Sequence, residues 1–361
     1  MREIGVAALR DIARGAAVLG TGGGGDPYIG RLLAERAIAA HGPVTLVDVD
    51  EVPAGALVVP TAMIGAPTAM LEKLPAGDEG AAALEALQAV LDGEVTHTVS
   101  IEAGGLNSVV PLVTAATHGL PVVDADGMGR AFPEVQMVLC TLAGVQAAPL
   151  ALADDKGNRL VMRTIDNVWA ERFARTATVE MGCSAMMALY AMRGDQLAEA
   201  TVAGTLTLCE ELGALIAAER RAHGDPVGAI AERLGGRRLV GAKVSDVERR
   251  TEGGFARGEA RLEGIGDDRG AALRLHFQNE HLLAELDGHA AASTPDLIIV
   301  LDAETGEPIT TEALRYGQRV VVIAAPCDPR WRSPAGLALA GPRVFGYDID
   351  YQPVEAPACV S

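Results

Sequence analysis

The sequence predicts an α+β protein: an α/β domain with a mostly parallel sheet over residues 1–165, then a β-rich domain with a helical insertion over residues 166–361. Three observations carry this expectation. A chain of 361 residues exceeds what one hydrophobic core usually organises, so two domains are expected. Helical and strand patterns alternate through the first half, as in a sheet crossed by helices. From about residue 238 the pattern becomes short β runs broken by turn signals such as GDD, DG and TGEP.

The elements follow in order. Residues 3–17 place Ile4, Ala7, Ala8, Ile12 and Ala16 at helical spacing. A glycine-rich loop follows, then a helix over 29–40. VTLVDVDEV (44–52) and ALVVPTAMIG (56–65) read as buried strands, and 79–92 as a strong helix. THTVSIEAGG (96–105) is a strand running into glycines, 107–118 a helix, and GLPVVDAD (119–126) a strand. Residues 135–144 and 147–158 suggest a strand and a hairpin. Residues 166–175 and 205–221 read as helices, while 176–192 carries signals for both helix and strand.

Composition excludes several classes. Hydrophobic residues at 49% and charged residues at 22% are ordinary globular values, so long disorder is not expected. A net charge of −18 opposes nucleic acid and anionic lipid as partners, and an anionic substrate would need local Arg or Lys. The five cysteines are odd in number and widely spaced, without CxxC, the pattern of a reducing compartment. The N-terminus reads as an amphipathic helix and not a signal peptide, and no apolar run reaches the ~20 residues of a membrane span. A cytoplasmic homo-oligomer acting on a small molecule is the expectation.

The loop GTGGGGDPYIG (20–30) has four consecutive glycines, Gly22, Gly23, Gly24 and Gly25. Such a loop lets backbone N–H groups approach a ligand. Asp26 before Pro27 is a helix-start signature. No GK[ST] follows, so this is not a phosphate-binding loop of the Walker type, and the GxGxxG reading of Gly20, Gly22 and Gly25 is weak.

Several stretches together carry a resemblance: LGTGGGGDPYIG, EAGGLNS, GLPVVDADGMGRAFPE, ALADDKGN, DNVWAERFAR, EMGCSA, FQNEHLLA and PDLIIVLDAETGEPITTEALRYGQRVVV. With GPRVFGYDIDY they extend over nearly the whole chain, which resembles the S-methyl thiohydantoin desulfurase family. ETGEPITTEALRYGQRV is also similar to parts of hydantoinase and oxoprolinase proteins. The resemblance implies an α/β domain followed by a β-rich domain. It also implies hydrolysis of a thiohydantoin-type ring, with water replacing sulfur to give a hydantoin and a thiol. The alternatives from other classes are a non-catalytic metabolite- or nucleotide-binding protein and a subunit associated with a hydantoinase.

That reaction needs a nucleophile, an acid/base and donors for a developing anion. Asp124 and Asp126, two apart at the end of a strand, share one face and are candidate acids or bases. Glu102 is a candidate for binding a ring N–H or holding water, and Asn107 for binding substrate or capping the next helix. Cys183, among small neighbours, is a candidate nucleophile or metal ligand, with a buried core thiol as the plain reading. Arg130 is a candidate partner for a substrate carboxylate, and Gly22–Asp26 for the ring. Asp124, Asp126, Cys183 and His97 or His118 are candidate ligands for a divalent metal such as zinc, although no HxH or HExxH spacing supports them. Cys140, Cys209 and Cys359 read as structural, and the polar island Asn279, Glu280, His281 reads as a turn.

Overall fold

The apolar runs of the first half assemble a ten-stranded mixed sheet in the computed structural model, which describes residues 1–66, 69, 73 and 75–355. Its four central strands are parallel, in the spatial order Val44–Val47, Val122–Asp126, Val95–Ser100 and Leu57–Gly65. Strands covered on both faces read as continuous apolar runs, and Leu57–Gly65 is buried along nearly its whole length. Antiparallel strands extend both edges: Arg2–Ile4 on one side, then Ser184–Ala188, Leu150–Ala153 and Arg159–Met162 on the other.

The first helix is Val6–Leu19, starting later than expected because Arg2–Ile4 pairs with the sheet edge. It packs against Thr205–Ala222 at close range. A side-chain carbon on Gly15 would lie 1.8 Å from the Cys209 carbonyl oxygen, and one on Gly213 would lie 2.0 Å from that of Asp11. Only glycine lets the two backbones approach so closely.

Residues 135–144 differ from expectation, forming a short helix, Leu139–Leu142, instead of a strand. Leu139 and Cys140 are buried there by packing, and a short apolar run does not by itself distinguish a buried strand from a buried helix. The mixed signals over 176–192 resolve into the end of helix Asn167–Glu180 and strand Ser184–Ala188. Gly182 and Cys183, at φ +92° and +65°, turn the chain between them. This strand belongs to the first sheet, as does the two-residue strand Val202–Ala203.

The β-rich part is a seven-stranded antiparallel sheet. Its order is His289–Ser293, Glu280–Leu286, Ala272–Gln278, Phe255–Gly264, Arg237–Glu252, Arg319–Ala325, Leu297–Asp302. Alternation along Leu297–Asp302 divides its side chains between two cores. Leu297, Ile299 and Leu301 join the large core that also holds Leu9 and Ile12, whereas Ile298 and Val300 pack with Leu262, Leu273 and Leu275. The large core therefore runs without interruption from one sheet to the other.

Candidate active site

A cleft opens at the carboxyl ends of the central parallel strands. Met63–Gly65 end one strand, Ile101 and Glu102 follow the next, and Met128 follows a third. This is where open α/β sheets place their ligands. The far wall comes from the second sheet through Asn279 and Glu280.

The glycine loop links two helices, Val6–Leu19 and Pro27–His41. The strand that a dinucleotide fingerprint requires before its glycines is therefore missing, and the nucleotide reading loses its context. Gly22, Gly24 and Gly25 adopt φ of +91°, +75° and +83°. Each glycine also fills a place with no room for a side chain. A carbon on Gly22 would lie 2.7 Å from the His281 ring, one on Gly23 1.9 Å from Glu280 Oε1, and one on Gly24 2.3 Å from Gly104 Cα. Gly24 and Gly25 wall the cleft, while Gly22 and Gly23 seat the residues of the second sheet. Asp26 Oδ1 accepts the N–H groups of Tyr28 (2.7 Å) and Ile29 (3.1 Å), so it caps the following helix.

Glu102 is buried at the base of the cleft. Asn107 Nδ2 donates to its Oε1 at 2.5 Å, and Phe132 N–H to its Oε2 at 3.3 Å. Asn107 is itself held by the strand end, accepting Met63 N–H at 2.7 Å and donating to Met63 O at 3.3 Å. It orients a carboxylate and does not cap the next helix, whose N-cap is Val109. Burial raises the Glu102 pKa to about 7, with the Asp126 charge adding to it; the two donors and Arg130 oppose the rise. Glu280 is pushed well above the ordinary carboxylate range by burial and by repulsion from Glu102, against the pull of Arg130 and the Gly24 amide. Two carboxyl groups thus face one cleft with different proton affinities. Such a pair is suited to divide acid and base work.

Glu280 is the functional candidate that the sequence reading missed. Only Asn279 of its island is the expected turn: at φ +59° it joins Ala272–Gln278 to Glu280–Leu286 by itself, and Glu280 and His281 begin the second strand. The turn is buried, however, and the glycine loop lies over it, with His281 N–H donating to Thr21 O and Thr311 N–H to Gly22 O, both at 2.8 Å. Among the described residues, Glu280 Oε2 and both His281 ring nitrogens have no hydrogen-bond partner. Burial, reinforced by Arg130, lowers the His281 pKa to about 3, which keeps its ring neutral. The available signal was composition, because four consecutive polar residues between apolar halves of a hairpin need a reason to be there.

The other sequence candidates lie elsewhere. Asp124 and Asp126 do share a face, but both are buried and bound to the start of helix Thr205–Ala222. Asp124 accepts from Thr207 N–H (3.1 Å) and Oγ1 (2.5 Å), and Asp126 from Thr205 Oγ1 (2.8 Å), Met128 N–H (2.8 Å) and Gly129 N–H (2.7 Å). Burial still raises the Asp126 pKa to about 6. Arg130 is fully buried and its guanidinium is spent on Thr21 Oγ1 and the carbonyls of Ala131, Pro295, Asp296 and His281. It ties the glycine loop to the second sheet and offers no free donor pair to a substrate carboxylate. Cys183 sits in the helix-to-strand turn outside the cleft lining, its carbonyl accepting Ala66 N–H at 3.1 Å.

His97 lies inside strand Val95–Ser100, five positions before Glu102 and so up to roughly 16 Å from it at ~3.3 Å per residue, and bonds Thr96 Oγ1 at 2.9 Å. His118 ends helix Val110–His118. The set proposed as metal ligands is therefore scattered, and among the described residues no three His, Cys, Asp or Glu side chains group as a metal would require. Cys140 and Cys209 are buried, as read, while Cys359 lies outside the described residues.

Comparison with known proteins places this architecture. The crystal structure of a protein from Chromobacterium violaceum is similar over 98% of this chain and 100% of that one, at 26% identity and a TM-score of 0.81. No curated protein matches. The family model described as S-Me-THD-like, N-terminal domain matches residues 7–164, and its C-terminal counterpart matches residues 165–354. The chain belongs to the S-Me-THD-like family.

Proposed function

We propose that this chain is a hydrolase that removes sulfur, as a thiol, from an S-methyl thiohydantoin-type ring and leaves a hydantoin. The observation that carries the reading is the pair Glu102 and Glu280: two buried carboxyl groups at one glycine-walled cleft, one with a pKa of about 7 and one held well above its ordinary range. Family membership supports the ring as substrate class. Met63, Met128, Met187 and Phe132 give the cleft an apolar, polarisable wall suited to a methylthio group.

The reaction balances with these two groups alone. Ionised Glu102, oriented by Asn107, takes a proton from water as the oxygen adds to the ring carbon bearing sulfur. Neutral Glu280 gives its proton to the ring nitrogen as the carbon–nitrogen double bond becomes single. The adduct then collapses: the carbon–sulfur bond breaks, Glu102 returns its proton to the departing sulfur, and the new hydroxyl gives its proton to Glu280. A carbonyl and a thiol are released, and both carboxyl groups are restored. Gly24 and Gly25 let the ring lie against backbone without a side chain between them.

The test is incubation of the purified chain with S-methyl thiohydantoins, measuring thiol and hydantoin together. Equimolar release is expected, with a rate that rises with pH through about 7 as Glu102 ionises and falls at higher pH as Glu280 loses its proton. Glu102→Gln and Glu280→Gln should each lose about 10²–10⁴-fold. No thiol from several such rings, with divalent metal ions supplied, would refute the proposal.

A further inference from the structure

The second sheet has a cleft of its own, lined by Arg257 and Gln278. Strand register builds it. Arg250, Arg257 and Gln278 stand side by side across three strands, and Glu248, Glu259 and His276 form the next row. Residues opposite one another in a ladder share a face of the sheet. The chain beyond helix Pro334–Ala340 reaches this face and adds Phe345 and Tyr347 to the lining. Tyr347 is held by His276, with ring centroids 5.7 Å apart, and His276 Nε2 lies 2.6 Å from Glu285 Oε2. Among the described residues, this cleft and the one at Glu102 have no lining residue in common. They approach each other at Phe255, whose ring takes both Arg257 (5.5 Å) and the Glu102 cleft's Arg175 (4.3 Å).

The two rows use their charges differently. In the second row Glu259 accepts from Arg261 at 2.8 and 3.0 Å, and His276 is taken by Glu285. In the first row Arg250 pairs with Glu252 at 3.1 Å. The Arg257 guanidinium, by contrast, forms no hydrogen bond or ion pair among the described residues. Beside it Gln278 is only 7% exposed, yet its Nε2 has no hydrogen-bond partner among the described residues. A buried amide donor without an acceptor is uncommon and points to one that is missing. Tyr347 offers a third donor: burial raises its pKa to about 12 against the pull of the Arg257 charge, so the hydroxyl keeps its proton. What these three groups lack is an acceptor with two oxygens. A guanidinium presents a planar fork that fits a carboxylate. Phe345 and Leu282 line the same cleft and give an apolar wall to the body that carries it. In a chain of net charge −18, such an anion is held only where local cations oppose the overall field. We propose that this cleft is a second ligand site, which takes a small carboxylate with an apolar body, its oxygens on Arg257 and Gln278 Nε2.

The test is calorimetric titration of the full-length chain with benzoate, phenylacetate and hexanoate, with benzamide and inorganic phosphate as comparisons. At least one of the carboxylates should bind, once per chain. Benzamide, which keeps the ring and loses the charge, and phosphate, which keeps charge without the apolar body, should bind at least about tenfold more weakly. Arg257→Gln should weaken the carboxylate by about tenfold or more, and Gln278→Leu should weaken it as well. Arg257 is exposed, so Arg257→Gln should keep the far-ultraviolet dichroism and thermal transition of the wild type. Glu102→Gln, in the other cleft, should bind the carboxylate as the wild type does. No binding of any of the three carboxylates, equal binding of benzamide or phosphate, or wild-type affinity in Arg257→Gln overturns the proposal.

Discussion

Glu102 combines two demands that conflict: it is buried at the base of the cleft, and the proposed chemistry needs it charged. The conflict is visible in its pKa, which is 4.5 for an ordinary glutamate and about 7 here. The folded value lies above the unfolded one. Below pH 4.5 the carboxyl is neutral in both states and has no effect on stability. Between 4.5 and 7 the folded state holds a proton that the unfolded chain has released, so stability falls as pH rises through this window. Above it the full cost applies, on the order of 3 kcal/mol. Glu102→Gln should therefore raise the melting temperature by a few degrees near pH 8 while leaving it nearly unchanged near pH 4, and its loss of activity should be large near pH 8 and small near pH 4, where the wild-type carboxyl is already neutral. Thermal denaturation of both proteins at the two pH values checks this; a variant destabilised at pH 8 would show that the carboxylate is held by more than Asn107 and Phe132. Glu280 adds to the same trend, and together the two acids make the cleft less stable than an apolar filling would be. Arg130 moderates that cost from behind, because its buried charge attracts both carboxylates.

At the scale of elements, the glycine loop separates two kinds of glycine dependence. Gly23 has an ordinary backbone conformation, and a methyl group there would meet the flexible carboxyl end of Glu280, 1.9 Å away. Gly24 has φ +75°, and a methyl group there would meet the Gly104 backbone at 2.3 Å. Gly23→Ala should fold near normally and lose activity by displacing Glu280. Gly24→Ala should be destabilised by roughly 3 kcal/mol or more, since both strain and a backbone clash act together. Melting temperature and thiol release measured side by side distinguish the two, and equal loss of stability in both variants would contradict the assignment. The loop, its Asp26 cap and the strand ends around Glu102 and Asn107 were legible in the sequence because each depends on local signals: glycine runs, an Asp-Pro start, apolar runs that stop at polar residues. The role of Asp124 and Asp126 was not legible. Spacing set them on one face, but whether that face meets a cleft or a helix start depends on where Thr205 and Thr207 return, 79 and 83 residues later in the chain. Glu280 was hidden for the same reason. A polar turn looks solvated until the loop that buries it, over 250 residues away in sequence, is known.

At the scale of the whole molecule, the two halves matched by separate family models share one interior. The large core contains Leu9 and Ile12 from the first helix, Val99 and Val123 from the parallel strands, and Leu297, Ile299 and Ile323 from the second sheet. Ser184–Ala188, which follows the boundary between the family models at residues 164 and 165, is an internal strand of the first sheet. Arg130 crosses from one half to the carbonyls of Pro295 and Asp296, and Trp331 Nε1 donates back to Met128 O at 2.8 Å. Separating the halves would expose that core face and leave a buried guanidinium without its acceptors, a loss of several kcal/mol from the charge alone. Neither half should therefore survive the unfolding of the other. Calorimetry of the full chain is expected to give one transition, coincident with the loss of Trp331 burial followed by fluorescence, instead of two resolved steps. A fragment ending at residue 236, which keeps the first sheet but loses all seven strands of the second, should show no cooperative transition of its own. A stable, cooperatively melting fragment would mean that the shared core is an interface between independent units. The cleft would then be assembled by docking, and not by folding, because Glu102 and Glu280 stand on opposite sides of that division.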